Sequence, residues 1–333
     1  MHPELALVLI ILAALVFDYS NGFHDTANAI ATVVSTGVMP ARYAIAMAAV
    51  LNFAGALTGT QVATTIAKGI ADAQFVVPAV VASAVLSALT WNLVTWWFGI
   101  PSSSSHALVG ALAGAVVMEA GASKLHTAKL EEVGKYLIIS PLLGFLLAAL
   151  LILVLLWACR RLSSWKVNKV FRRAQIFSAA SVAFAHGTSD AQKTMGIITL
   201  ALITYGKLSA HGAMVEIPLW VKLACAAAMG LGTASGGWKI IKTMGSKIVK
   251  MKPIHGFASE VSSAAVLFFT AHLGIPVSTT HVKTGAVMGV GASMNVSAVR
   301  WGVAGNIVVA WVLTIPMSAL LAAGFLHLLR PLF

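Results

Sequence analysis

Eight apolar runs, near residues 4–35, 43–66, 76–98, 134–158, 174–205, 217–236, 254–272 and 300–328, follow one another with only short polar breaks. Runs of about 20 residues cross a bilayer as helices, and only helices or closed barrels can span it with every backbone group satisfied. These runs do not alternate apolar and polar residues, which excludes the barrel. Two shorter runs, near 102–118 and 277–292, begin with hydroxyl residues after a Gly-Ile-Pro. Their length suits the arms of re-entrant hairpins packed inside protein. With 59% apolar and 10% charged residues and a mean hydropathy of +0.90, a water-soluble globule is ruled out. The expected fold is an all-α polytopic membrane protein. The stretch from Leu5 to Phe17 has no basic segment ahead of it and passes straight into polar residues. It is expected to be a first membrane helix that is retained, not a cleaved signal.

The net charge of +12 resides in the connections. Arg160, Arg161, Lys166, Lys169, Arg172 and Arg173 form one acid-free cluster, and Lys239, Lys242, Lys247, Lys250 and Lys252 form another. The positive-inside rule places both on the cytoplasmic side. Between Glu119 and Lys135 acids and bases balance, which suits the opposite face. This is a topology signal, not a folded basic surface for nucleic acid. Cys159 and Cys225 are too few and too badly placed for a disulfide framework.

The chain repeats itself. Gly99-Ile-Pro-Ser-Ser-Ser-Ser-His106-Ala-Leu-Val-Gly110-Ala-Leu-Ala-Gly114 returns as Gly274-Ile-Pro-Val-Ser-Thr-Thr-His281-Val-Lys-Thr-Gly285-Ala-Val-Met-Gly289, with eight of sixteen positions identical. Nearer the start of each half, Asn21-Gly-Phe-His24-Asp25-Thr-Ala-Asn28 pairs with His186-Gly-Thr-Ser189-Asp190-Ala-Gln-Lys193. The second half is about ten residues longer between its motifs, and the loop holding Lys207, His211 and Glu216 is the expected place for them. The expected division is repeat 1 over 1–158 (Asp motif 21–28, hairpin 99–118), a basic cytoplasmic linker over 159–175, and repeat 2 over 176–333 (Asp motif 186–193, hairpin 274–292). Two halves interrupted by Gly and Pro at matching places point to a secondary transporter with its site between the repeats. The segment count gives four crossings per half, which would make the repeats parallel; an odd number would invert them.

Four of the ten acidic residues, Asp18, Asp25, Asp190 and Glu260, lie inside apolar runs. An uncompensated carboxylate at membrane depth costs roughly 2.5–3.5 kcal/mol, so each needs a partner or a function. Ser102 to Ser105 and Ser278, Thr279 and Thr280 stand where a proline-led turn meets a short helix. One hydroxyl suffices to cap a helix, and the surplus, with the unpaired N–H groups and the positive helix end, makes an anion site. Ser103, Ser104 and Ser105 of one half and Ser278, Thr279 and Thr280 of the other are therefore the expected clamp for a tetrahedral oxyanion. Asp25 and Asn28 share a helix face, as do Asp190 and Lys193, and these four are the expected cation-coupling residues. A carboxylate there can ligate a small cation, with sodium at Asp25, Asn28 and Asp190 as one option, or carry a proton. Asp18, His24, His106, His186, Ser189, Glu260 and His281 are expected in supporting places.

These four motifs in order resemble the inorganic phosphate transporter (PiT) family, and within it the bacterial low-affinity phosphate transporters. The resemblance covers essentially the whole chain. It implies inverted repeats, so that one segment per half is misread in the count above, with phosphate bound between the two hydroxyl-rich hairpins and cations at the Asp motifs. Sodium-coupled relatives have Asn-Asp in both Asp motifs, whereas this chain has His24-Asp25 and Ser189-Asp190. That departure favours the proton over sodium as coupling ion. The resemblance further implies phosphate carried as a neutral complex with a divalent metal, and it leaves sulfate as an alternative anion. No resident cofactor is expected, the surroundings are membrane lipid in the bacterial inner membrane, and a homodimer stays open. Two rivals differ in class. An intramembrane hydrolase would use Ser103 or Ser105 with His106, but adjacent helical residues do not face each other and the Ser/Thr-His pair occurs twice. An anion channel would lack coupling.

Overall fold

The computed structural model describes residues 2–69, 71, 75–209 and 215–333; His211 lies outside them. Twelve α-helices occur among the described residues: α1 (Pro3–Ser35), α2 (Ala41–Ala56), α3 (Gln61–Gly69), α4 (Pro78–Phe98), α5 (Ser104–Ala120), α6 (Thr127–Cys159), α7 (Ser164–Thr204), α8 (Leu219–Ser235), α9 (Trp238–Lys242), α10 (Pro253–His272), α11 (Thr279–Met294) and α12 (Trp301–Leu329). Five of these are each long and apolar enough to span a bilayer, and the bent pair α2–α3 makes a sixth. The run expected over 43–66 is thus broken, with a bend of 67° between α2 and α3. The linker expected over 159–175 is a turn at 160–163 followed by the first turns of α7. The surplus length of the second half lies where expected: residues 36–40 join α1 to α2, whereas 205–218 separate α7 from α8.

The first helices of the two halves run antiparallel. Lys207, just past the end of α7, donates to Glu4 at the start of α1 (2.6 Å), while Thr36 at the end of α1 donates to Gln175 near the start of α7 (2.9 Å). Pro3, Pro78, Glu119, Tyr205 and Arg330 line one cavity, so the starts of α1 and α4 and the ends of α5, α7 and α12 share one face of the molecule. Cys159, Trp165 and Pro253 line another, at the end of α6 and the starts of α7 and α10. Helix α4 therefore leaves the first face and α5 returns to it, a re-entrant hairpin, and α10–α11 form its counterpart from the second face. Helices α4 and α10 are long and apolar enough to cross, but each leads into an arm that returns to the same face. The four crossings expected per half therefore become three by chain direction: α1, α2–α3 and α6, then α7, α8–α9 and α12. The number is odd, and the repeats are inverted.

In space the halves interlock. The first hairpin packs on α12 of the second half, and the second hairpin packs on α6 of the first. Glycines at equivalent places make this possible: a Cβ on Gly114 would stand 2.5 Å from the Ala319 backbone, and one on Gly289 would stand 2.1 Å from the Phe145 carbonyl oxygen. Small residues at such seams let helix backbones approach, which drives association where lipid is as apolar as leucine. At both hairpin tips a left-handed glycine, Gly99 (φ 66°) or Gly274 (φ 69°), turns the chain, and the Ile-Pro that follows cannot continue the helix. Ser103 and Ser278 then cap the next helices, their hydroxyl oxygens accepting from the backbone N–H of His106 and His281 (3.2 Å each).

Candidate functional site

Because α1 and α7 are antiparallel and in contact, their Asp motifs meet midway along the pair. One ligand atom each from Asp25, His186 and Asp190 lie within 4.8 Å of one another. Asp25 Oδ1 accepts from His24 Nδ1 (2.6 Å) and from the Thr280 hydroxyl (3.4 Å). Asp190 Oδ1 accepts from Lys193 Nζ (2.6 Å), and its Oδ2 accepts from the Thr279 hydroxyl (3.2 Å) and the Asn21 amide (3.5 Å). The Asn28 amide donates to Thr279 (3.3 Å) and Thr280 (2.9 Å). The first residues of α11 thus bridge the two carboxylates. Ser105 of the other hairpin donates to the Val277 carbonyl (3.0 Å), tying the two tips together, with Ser104 beside it at the start of α5.

All ten residues expected to bind phosphate or cations are at most 3% exposed, so the site is closed to both faces. Two helix N-termini converge there. Ser103 and Ser278 still hold their hydroxyl protons after capping, and those protons can be donated to an anion.

Of the supporting residues, His24 lies in the site. Its Nε2 is 3.1 Å from the Thr95 hydroxyl, which accepts from Ser102 (2.8 Å), so a polar line runs from Asp25 to the first hairpin tip. Ser189, the counterpart of His24, is buried without a hydrogen bond among the described residues. His106 and His281 pack ring to ring (4.3 Å), and His281 stacks on Trp311 (3.7 Å). They fasten the hairpins to α12, and no hydrogen bond joins either ring to the hydroxyls among the described residues. Asp18 is buried two turns before Asp25, beside Thr194. Glu260 lies apart, level with Thr32 two turns beyond Asp25, where it accepts from Thr32, Gln175 and Ser178; Lys283 donates to Thr32.

Three residues of the site were missed in the sequence. Asn21 stands one helical turn before Asp25 and was visible in the motif. Thr95 in α4 gave no signal of its own. Asn52, the lone amide of the apolar α2, was detectable as such. Its Nδ2 donates to Thr233, whose own hydroxyl donates to the Met229 carbonyl, and this turns Asn52 Oδ1 toward His186 Nδ1 (3.0 Å). Nδ1 therefore carries the ring proton, and Nε2 presents a lone pair to Asp190 Oδ2 at 3.4 Å. Two acceptors face each other, an arrangement that calls for a proton or a metal cation between them. A nitrogen and two carboxylates fit a divalent cation.

Inverted repeats, interlocked re-entrant hairpins and a closed site at their meeting point define an integral, multi-pass membrane transporter. Residues 21–322 match the model of the Phosphate transporter family, and the chain belongs to that family. It is 48% identical to a probable low-affinity inorganic phosphate transporter of Bacillus subtilis (strain 168), over 98% of both chains. It is 50% identical to a protein of the same description from Rhizobium meliloti (strain 1021), over 95% of this chain and 94% of that one. Among solved structures it resembles one described as the sodium-dependent phosphate transporter, with a TM-score of 0.88, 26% identity, and 98% of this chain and 100% of that one covered. The family is one of transporters, and the hydrolase reading is set aside.

Proposed function

We propose that the protein is a secondary active symporter that carries inorganic phosphate across the bacterial inner membrane with the proton as coupling ion. One observation carries this reading: the hydroxyls that open α11 touch both carboxylates, which are held on antiparallel helices, and Ser105 of α5 ties the other hairpin tip to Val277 just before them. Phosphate held by Ser103, Ser104, Ser105, Ser278, Thr279 and Thr280 gains from both helix ends, roughly 0.3–1 kcal/mol each and up to about 2 in buried geometry. Asp25, which no lysine or arginine matches, would repel that anion unless neutralised, and its uncompensated burial costs roughly 2.5–3.5 kcal/mol. Loading anion and cation together relieves both penalties, and this mutual dependence is the coupling. The line from Asp25 through His24 and Thr95 to Ser102 favours a proton, since it offers exchangeable hydrogens in contact with one another. Hairpins rooted on opposite faces give alternating access: moving one opens the site to one side, moving the other opens it to the opposite side.

A second reading concerns the cargo. The donor set Asp25, Asp190 and His186 suits a divalent cation, which fits phosphate travelling as a neutral metal complex while the proton couples. Sodium coupling is the alternative, as in the neighbouring solved structure, and sulfate is the alternative anion. Counterflow of labelled phosphate in proteoliposomes, competed by arsenate and sulfate, tests the substrate. Arsenate should compete better than sulfate, and absence of phosphate counterflow would sink the assignment. An imposed proton gradient should drive uphill uptake that a sodium gradient at fixed pH does not.

A further inference from the structure

Equivalent places in the two repeats differ in charge. Asn28 follows Asp25 by three residues, and Lys193 follows Asp190 by three. The Asn28 amide reaches across to the hydroxyls of Thr279 and Thr280. Lys193 Nζ instead turns back along its own helix to Asp190 Oδ1, 2.6 Å away, in a residue 1% exposed. Asp25 has no lysine or arginine partner: the His24 ring stands 2.6 Å from its Oδ1, and its Oδ2 accepts no hydrogen bond among the described residues. One carboxylate is thus matched by a lysine built into the chain, and the other has only a histidine beside it.

We propose that the Lys193 ammonium is a tethered cation. It permanently holds beside Asp190 the place that a mobile cation takes beside Asp25, so each phosphate is accompanied by one mobile cation fewer than a site with asparagine at both places would need. The inference rests on the phosphate-symport reading and specifies its stoichiometry. Charge complementarity is satisfied whether the positive charge arrives from solution or on a side chain. Only the former can be released on the far side, and so only the Asp25 cation draws on a gradient. An ordinary buried ion pair would stabilise the fold without altering the number of ions moved.

The test replaces the lysine with the residue of its repeat counterpart. Lys193→Asn should weaken phosphate binding at least about tenfold at low concentrations of monovalent cation, and saturating cation should restore it. In proteoliposomes, the membrane potential at which net labelled phosphate flux vanishes should show one more cation per phosphate than in the unaltered protein, and Lys193→Arg should keep the original ratio. An unchanged ratio in a monodisperse Lys193→Asn protein overturns the proposal. So does binding that stays lost at saturating proton, sodium and potassium while the protein melts like the original, since the lysine would then contact phosphate or serve the fold. Should the variant not fold, the unaltered protein decides: phosphate binding should depend on cation concentration with a Hill coefficient near one, and a coefficient near two overturns the proposal. Failure of the unaltered protein to bind phosphate at all marks failure of the symport reading instead.

Discussion

Asp25 and Asp190 are matched in sequence but not in surroundings, and the difference decides what each can do. Asp190 is held by Lys193, Thr279 and Asn21, with His186 against its Oδ2, whereas Asp25 receives His24 and the more distant Thr280. Under proton coupling, Asp25→Asn imitates the loaded state. The variant should still exchange labelled phosphate across proteoliposome membranes and lose gradient-driven accumulation. Loss of exchange together with accumulation would point to a metal ion at that carboxylate. The hydroxyls respond differently. Thr279→Ala removes a donor to Asp190 and the acceptor of one Asn28 bond, so phosphate affinity in equilibrium binding should fall by about 1–2 kcal/mol, roughly five- to thirtyfold. Ser104→Ala should fall in the same range with the protein still inserted. Unchanged affinity in the double variant would refute the shared clamp.

At the scale of elements, the hairpins are held by close backbone seams more than by side-chain bonds. A Cβ on Gly289 meets the Phe145 carbonyl oxygen at 2.1 Å, and backbone cannot step aside as a flexible side chain would. Gly289→Val should therefore destabilise the protein by about 1–3 kcal/mol or more. Gly302→Val, where an added Cβ meets nothing within 4 Å, should melt within a few degrees of the original in the same detergent. Most elements were legible in the sequence because hydrophobic length and Gly-Ile-Pro punctuation are local: α1, α4, α5, α10, α11 and α12 lie within a few residues of the expected runs. The break between α2 and α3 was not, since Leu57 to Thr60 interrupts the helix within an apolar stretch without proline. Nor was the start of α7, whose basic first turns read as linker although Ser163 caps them by accepting from the Lys166 N–H. The hydroxyls and carboxylates of the site were legible because buried polar residues stand out in apolar runs. Asn52 and Thr95 join them only through partners far away in sequence. Which hairpin packs on which helix was hidden for the same reason: Gly289 names no partner until Phe145 is brought to it.

For the whole molecule, inversion and charge together predict an orientation. Three crossings per half put the start of α1 and the end of α12 on one face, where Glu4 pairs with Lys207 and Glu119 with Arg330. The opposite face gathers Arg160, Lys166, Lys169, Arg172, Arg173, Lys250 and Lys252 around the turn at 160–163 and the start of α10, with no acid among them. Short loops that rich in lysine and arginine are retained on the cytoplasmic side. On that rule we propose that the second hairpin is rooted at the cytoplasm and the first at the exterior, each moving for phosphate to pass its own side. In a protein with Cys159 replaced by serine and the buried Cys225 kept, a single cysteine at Lys169 or Lys247 should resist an impermeant thiol reagent applied to intact cells. The same reagent should label a cysteine at Lys124, beyond the end of α5. Labelling at Lys169 and Lys247 with protection at Lys124 would turn the molecule over in the membrane and exchange the roles of the two hairpins, while leaving the site between them unchanged.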